Sequence, residues 1–141
     1  MVSGFFQETT MKEKPLAQDE IVLHGTTNIN RDKRWGWWAE TIVDLPTMPP
    51  RVLWVVTSRE KHHPGALLSW ASVRNAPGGF IADKSLWFKT IDHVACKRVT
   101  KGIVQYFHAQ ATRDLAGLLK EASEDMAAKA AKAQAKAALA A

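Results

Sequence analysis

RWGWWAETIVDLPTMPPRVLWVVTS, residues 34–58, decides the architecture. Its first half, residues 34–45, is rich in aromatic and β-branched side chains, contains no proline and stops at Pro46, the pattern of a long strand. Pro46, Pro49 and Pro50 fix φ and donate no backbone hydrogen bond, so PTMPP is a stiff connection. Residues 51–58 are then a near-continuous apolar run of strand length. Two antiparallel neighbours joined by the proline loop is the economical arrangement.

Toward the C-terminus, REKHHPG (59–65) is a charged turn. ALLSWASVR (66–74) is expected as a third strand, with a short helix opened by Pro64 as the alternative. NAPGG (75–79) has turn chemistry. FIADKSLWFKT follows, and then DHVACKRV and IVQYFHAQ flank Thr100-Lys101-Gly102, which predicts a hairpin with glycine at the left-handed position. After Ala111 the period changes to 3.6: Leu115, Leu118, Leu119, Ala122 and Met126 share one helix face, Thr112 suits the N-cap and Asp114 the first turn. Lys120 with Glu124, and Asp125 with Lys129, stand at i,i+4. The tail AAKAAKAQAKAALAA consists of strong helix formers with almost no apolar face, so it is expected as a frayed, solvated extension with Lys129, Lys132 and Lys136 roughly on one side.

Toward the N-terminus, EIVLHG (20–25) alternates like a strand, and Gly25 leads into a polar loop, TTNINRDK. Residues 1–19 sustain neither period and are expected as an arm. The whole predicts an α+β fold: a curved antiparallel β-sheet of about five or six strands in a meander, followed by one long C-terminal α-helix. A single domain would span residues 20–126, between the arm at 1–19 and the Ala/Lys-rich tail at 127–141. In element order this is similar to the β-meander-plus-helix design of transcription-coactivator-type and Whirly-type single-strand binders. The similarity covers no specific motif and carries no residues across.

With 141 residues, 46% of them hydrophobic and 23% charged, the chain matches one ordinary folded domain and is too apolar for wholesale disorder. Its net charge of +5 is unevenly placed: residues 31–101 hold twelve Lys or Arg against six acidic residues, while the flanks nearly cancel. A basic centre is the distribution expected for a polyanionic partner, and equally that of a solvated basic surface. The single cysteine, Cys96, allows no internal disulfide, and no signal-peptide h-region stands at the N-terminus; a cytoplasmic location is expected. No apolar run approaches the roughly 18–20 residues that span a bilayer, so no membrane is expected as partner.

Phosphate-cradling, dinucleotide, zincin and nucleophile-elbow motifs are all missing from the sequence. His93 and Cys96, with His108 on the next run, resemble part of a metal site. On a strand, however, positions three apart point to opposite faces, so no metal, cofactor or catalytic residue is expected there. His62-His63 suggests two exposed imidazoles rather than a general base; Asp92 could orient the His93 imidazole, but a Cys96 nucleophile would need an activating base on its own face, so Cys96 is expected as a buried inert thiol.

Three indoles, Trp35, Trp37 and Trp38, follow directly on Arg31-Asp32-Lys33-Arg34. Strand alternation would place Trp35 and Trp37 on one face and Trp38 with Gly36 on the other, making both faces aromatic. One face can pack on the helix; the other must be exposed or covered by a partner. Gly36 leaves the flank of Trp38 open to a flat ring or a backbone. Basic residues recur beside aromatics at Lys89 after Trp87-Phe88, and at Lys97, Arg98 and Lys101 before Tyr106-Phe107. Trp54 and Trp70, inside apolar runs, are assigned to the core, whereas the Trp35/Trp37/Trp38 group is open between platform and core.

Cationic grooves lined with stacking aromatics are the equipment of single-strand binders. The expectation is therefore a non-catalytic, small bacterial or mobile-element protein, possible as a homo-dimer, that binds single-stranded DNA or RNA. Arg31, Lys33, Arg34, Lys89, Lys97, Arg98 and Lys101 would meet phosphates, and Trp35, Trp37 and Trp38 would stack on bases. The alternative is a protein–protein interaction module or inhibitor whose exposed tryptophans are anchors. An enzyme centred on His93, Cys96 and His108 is the reading with least support.

Overall fold

The computed structural model describes residue 23 and residues 25–140. Five strands follow one another: β1 (Thr26–Asp32), β2 (Gly36–Leu45), β3 (Arg51–Arg59), β4 (Ala66–Asn75) and β5 (Ser85–Ala95). Among the described residues two α-helices follow the strands, α1 (Lys101–Ala111) and α2 (Leu115–Ala140). The strands form one antiparallel sheet in meander order, β1-β2-β3-β4-β5. The expected α+β architecture, an antiparallel meander followed by a long C-terminal helix, is the observed one. The arm at 1–19 and nearly all of the strand expected at 20–25 lie outside the described residues.

Both helices lie on one face of the sheet. Alternation along the strands sends Val43, Leu53, Val55, Ala71, Val73 and Trp87 to that face, where they pack against Leu115, Leu118, Leu119, Ala122 and Met126 of α2. The apolar stripe expected on α2 is thus the one it buries. A second cluster, built on Ala39, Leu67, Val99 and Val104, lies under α1. Leu53 and Leu67, at 0% and 2% exposure, each stabilise the fold by about 1.5–3 kcal/mol. α2 is tied to β5 by polar contacts as well: Trp87 Nε1 donates to Asp125 Oδ2 at 2.9 Å, and Lys89 Nζ lies 2.6 Å from Glu121 Oε1.

Three expectations are corrected. The TTNINRDK stretch is an edge strand rather than a loop: β1 pairs with β2 from Thr26↔Ile42 to Asp32↔Gly36. Its side chains are nearly all exposed, and so no apolar alternation marks it. DHVACKRV and IVQYFHAQ form no hairpin. The first half of DHVACKRV, through Ala95, belongs to β5, a single strand with register shifts opposite Ser69/Trp70 and Val73/Arg74, and its second half is the connection to α1. IVQYFHAQ is part of α1, whose buried residues Val104, His108 and Ala111 follow helical spacing. Thr100 begins α1 by accepting from the Ile103 N–H at 3.2 Å, so the Thr-Lys-Gly triplet is a cap and not a turn. The third correction concerns Thr112, which closes α1 by donating to the His108 carbonyl at 2.9 Å. Asp114 instead opens α2, its Oδ1 accepting from the Gly117 N–H at 2.9 Å.

Thr100→Ala removes that cap and is expected to lower stability by about 1 kcal/mol. A denaturant midpoint that matches the unsubstituted protein would show the Thr100 bond to be idle.

Beneath α1 the core contains a chain of polar groups. Thr27 Oγ1 meets Thr41 Oγ1 at 2.7 Å, Thr41 Oγ1 meets His108 Nε2 at 2.7 Å, His108 Nδ1 meets Thr57 Oγ1 at 2.9 Å, and Thr57 Oγ1 meets Ser69 Oγ at 2.8 Å. His108 is 3% exposed, and burial holds its pKa down at about 4, so it is neutral at pH 7. This chain cross-links β1, β2, β3 and β4 to α1. It uses every ring nitrogen of His108 structurally.

Candidate nucleic-acid interface

The face of the sheet opposite the helices carries a row of aromatic rings. Trp54 on β3, Trp70 on β4 and Phe88 on β5 alternate out of phase with the core residues beside them, and no helix covers them. The Trp54 and Trp70 rings meet edge to face with centroids 5.2 Å apart, and Trp70 and Phe88 are tilted by 31° at 5.7 Å. Two further contacts fix the row. Trp54 Nε1 donates to Glu40 Oε1 at 2.9 Å, and the Arg74 guanidinium lies 4.9 Å from the Trp54 ring centroid and 5.7 Å from that of Trp70. Offset and edge-to-face pairs of this kind favour a single ring arrangement, so the surface is pre-organised. Phe88 is 53% exposed, whereas Trp54 and Trp70 are partly buried by their neighbours. The core assignment of these two tryptophans is therefore corrected: they line the helix-free face.

The tight turn between β1 and β2 explains how the three neighbouring indoles are distributed. Asp32 Oδ1 accepts from the backbone N–H groups of Arg34 and Trp35 at 2.7 and 2.9 Å, and Gly36 takes φ +80°. The strand begins only at Gly36, so Trp35 escapes the expected alternation. It lines a cleft with Trp38, Val56, Ser58, Arg59 and Lys61 on the side of the open face. Trp37 goes the other way and packs in the cluster under α1. The group is thus divided: Trp37 is partly core, and Trp35 with Trp38 forms the wall of a cleft.

The basic residues are divided likewise. Arg34 stacks over Trp35 at 5.2 Å, on the rim of that cleft. Arg31 and Lys101 approach Trp37 instead, at 5.9 and 5.5 Å from its ring. Lys97 and Arg98, both exposed, lie in the connection from β5 to α1, next to Lys101. Lys33 is exposed in the β1–β2 turn. Lys89 joins neither group, because its ammonium is engaged by Glu121 on the helix-bearing face. Arg74, which the sequence did not single out, is the cation most closely joined to the aromatic row. Its signal was available: at period 2 it shares a face with Trp70, two strand pairs from Trp54.

Against known protein families, curated proteins and solved structures, the chain has no match. The site is therefore read from its chemistry alone.

His93, Cys96 and His108 are separated by the fold. His93 is exposed and contacts Glu60 through Nε2, Cys96 is partly buried in the cluster under α1, and His108 lies within the polar chain. Among the described residues, no group of three or more His, Cys, Asp or Glu is placed to hold a metal ion. None of the described helices is long and apolar enough to cross a membrane.

Proposed function

We propose that this protein binds single-stranded nucleic acid without catalysis, laying bases along the helix-free face of its sheet. The row Trp54–Trp70–Phe88 beneath Arg74 is the observation that carries this reading. Every base has a π-face and stacks on an aromatic ring for about 1–3 kcal/mol, and a guanidinium beside the rings can reach the phosphate that follows. Strand spacing suits the ligand, since rings on adjacent strands stand a few ångströms apart and successive bases can splay across them. Arg34 and Lys61 at the Trp35/Trp38 cleft extend the cationic path along one edge of the same face.

The test is a titration of intrinsic tryptophan fluorescence with a single-stranded oligonucleotide at several salt concentrations, with duplex as control. Quenching should favour the single strand, and log affinity should fall linearly with log salt at about 0.7 per neutralised phosphate. Arg74→Gln should reduce that slope by about 0.7, while Lys89→Gln should leave it unchanged because Lys89 faces α2. A flat salt response, or equal quenching by duplex, defeats the proposal.

A second reading, a protein-interaction module, is favoured by one end of the sheet. Met48 in the β2–β3 connection and Phe80 in the β4–β5 connection are 91% and 81% exposed, and Arg51↔Asn75 pairing puts both connections at the same end. An apolar patch at one end of a sheet marks an interaction surface when its members adjoin, and these two connections stand at one end. Recovery of a partner protein whose binding is lost in Met48→Ser/Phe80→Ser, with no response to oligonucleotides, would establish this reading in place of the first.

A further inference from the structure

The cleft at the β1–β2 turn has properties that the aromatic row lacks. It is bounded by the indoles of Trp35 and Trp38, encloses about 270 Å³, and has the Arg59 and Lys61 side chains in its wall. That volume is near the lower end of the range for small-molecule sites, about 300–1,000 Å³. Arg59 Nε is buried and, among the described residues, is the only buried side-chain nitrogen or oxygen without a hydrogen-bond partner. A buried donor left unpaired is costly, and an acceptor that reaches it on entering the cleft would relieve that cost. The Gly36 backbone passes beside the guanidinium: a Cβ there would stand 3.8 Å from Arg59 Nη2, an ordinary contact, on a backbone whose φ of +80° disfavours any side chain. Cations outnumber anions at the cleft. Arg59 and Lys61 line it, Arg34 stacks on its Trp35 wall, and Asp32, the one carboxylate in its lining, accepts from two backbone N–H groups through Oδ1.

Two aromatic walls and an unsatisfied guanidinium suit a ligand with a flat ring at one end and an anionic oxygen at the other. We propose that this cleft is a discrete nucleotide site, in which the base lies against Trp35 and Trp38 and the phosphate accepts hydrogen bonds from Arg59 beside Lys61. The inference deepens the single-strand reading, on which it rests, by adding an anchoring point that recognises a phosphate rather than the base alone. The ligand can come from two sources, a free mononucleotide or the phosphorylated end of a strand.

The site is tested by following the indole N–H resonances of the folded full chain by NMR. The probes are adenosine 5′-monophosphate, adenosine, and a short oligothymidylate with and without a 5′-phosphate. Adenosine monophosphate should shift the Trp35 and Trp38 signals, with adenosine weaker by roughly 10-fold or more, since hydrogen bonds to charged groups are the strong ones. Arg59→Gln should abolish that preference. Lys61→Ala, at an exposed position, should weaken it without disturbing the fold. A shift produced by the 5′-phosphorylated oligonucleotide and not by its unphosphorylated form identifies a strand end as the source. A shift produced by the mononucleotide and by neither oligonucleotide at this cleft identifies a free nucleotide. Adenosine binding as well as its monophosphate, or Arg59→Gln binding both unchanged, overturns the site. If the oligonucleotides still shift the Trp54 and Trp70 signals in that case, the single-strand reading survives; if no oligonucleotide shifts any indole, both fail.

Discussion

Between pH 7 and pH 4, folding stability is expected to fall by roughly 3 kcal/mol through His108 alone. The ring is buried under α1 with a hydroxyl on each nitrogen, Thr41 at Nε2 and Thr57 at Nδ1. Those hydroxyls could accept from a doubly protonated ring, so hydrogen bonding does not oppose the charge. Burial does, and the recorded polar contacts of the ring include no carboxylate to offset it. The folded pKa is lowered to about 4 from an ordinary 6.5, so the sign follows. Above pH 6.5 both folded and unfolded chains keep the ring neutral, and the stabilisation is complete. As pH falls from 6.5 to 4, only the unfolded chain takes up the proton, and stability drains away; below 4 both are protonated and the loss stops. A variant isolates the His108 contribution. His108→Gln can donate to one threonine and accept from the other, so it should flatten the dependence between pH 7 and 5. His108→Ala should cost about 3–5 kcal/mol at pH 7, by leaving a cavity and unpaired hydroxyls of Thr41 and Thr57, and less as the pH falls toward 4, because the variant has lost the ring whose protonation destabilises the unsubstituted fold. Urea unfolding at several pH values would decide it. Identical pH dependence in the unsubstituted protein and His108→Gln would mean that the ring does not hold its proton off.

His108 also shows why part of this fold was hidden in the sequence. IVQYFHAQ is full of β-branched and aromatic residues, which reads as a strand, yet its buried residues recur at helical intervals and Thr100 caps it. Local preference lost to packing, since Val104, His108 and Ala111 meet the sheet only from a helix. β1 was hidden for the opposite reason: an exposed edge strand needs no apolar face. β2, β3, β4 and the stripe on α2 were legible because burial imposed a period on each. Legibility of the candidate site was limited by symmetry. In RVLWVVTS, Val52, Trp54 and Val56 alternate with Leu53, Val55 and Thr57, so both faces are apolar, and nothing in the run tells which of them a helix will cover. An apolar run of this kind assigns Trp54 to the core, although the face it lies on is the one no helix covers. In RWGWWAE the left-handed Gly36 changes the phase of Trp35, which period-2 alternation alone does not anticipate.

Truncating the centre of the aromatic row should have the largest effect on binding. Trp70 touches Trp54 on one side and Phe88 on the other, and shares Arg74 with Trp54. Trp70→Ala therefore removes one stacking platform and loosens two more, and is expected to weaken a single-stranded oligonucleotide by about 10- to 100-fold, the equivalent of one or two lost stacks. The same change costs stability, because ring pairs are worth about 0.5–1.5 kcal/mol beyond their burial, so a thermal melt must accompany each affinity. Phe88→Ala guards against confusing the two effects. Its ring is 53% exposed and should be lost with little change in melting temperature, yet it ends the row and should still weaken binding by about 5-fold or more. Trp37→Ala is the contrasting control, since that indole packs under α1 and should alter stability more than affinity. If Trp70→Ala and Phe88→Ala both fold and both bind as tightly as the unsubstituted chain, bases do not lie on this face, and the pre-organised row must serve a protein surface instead.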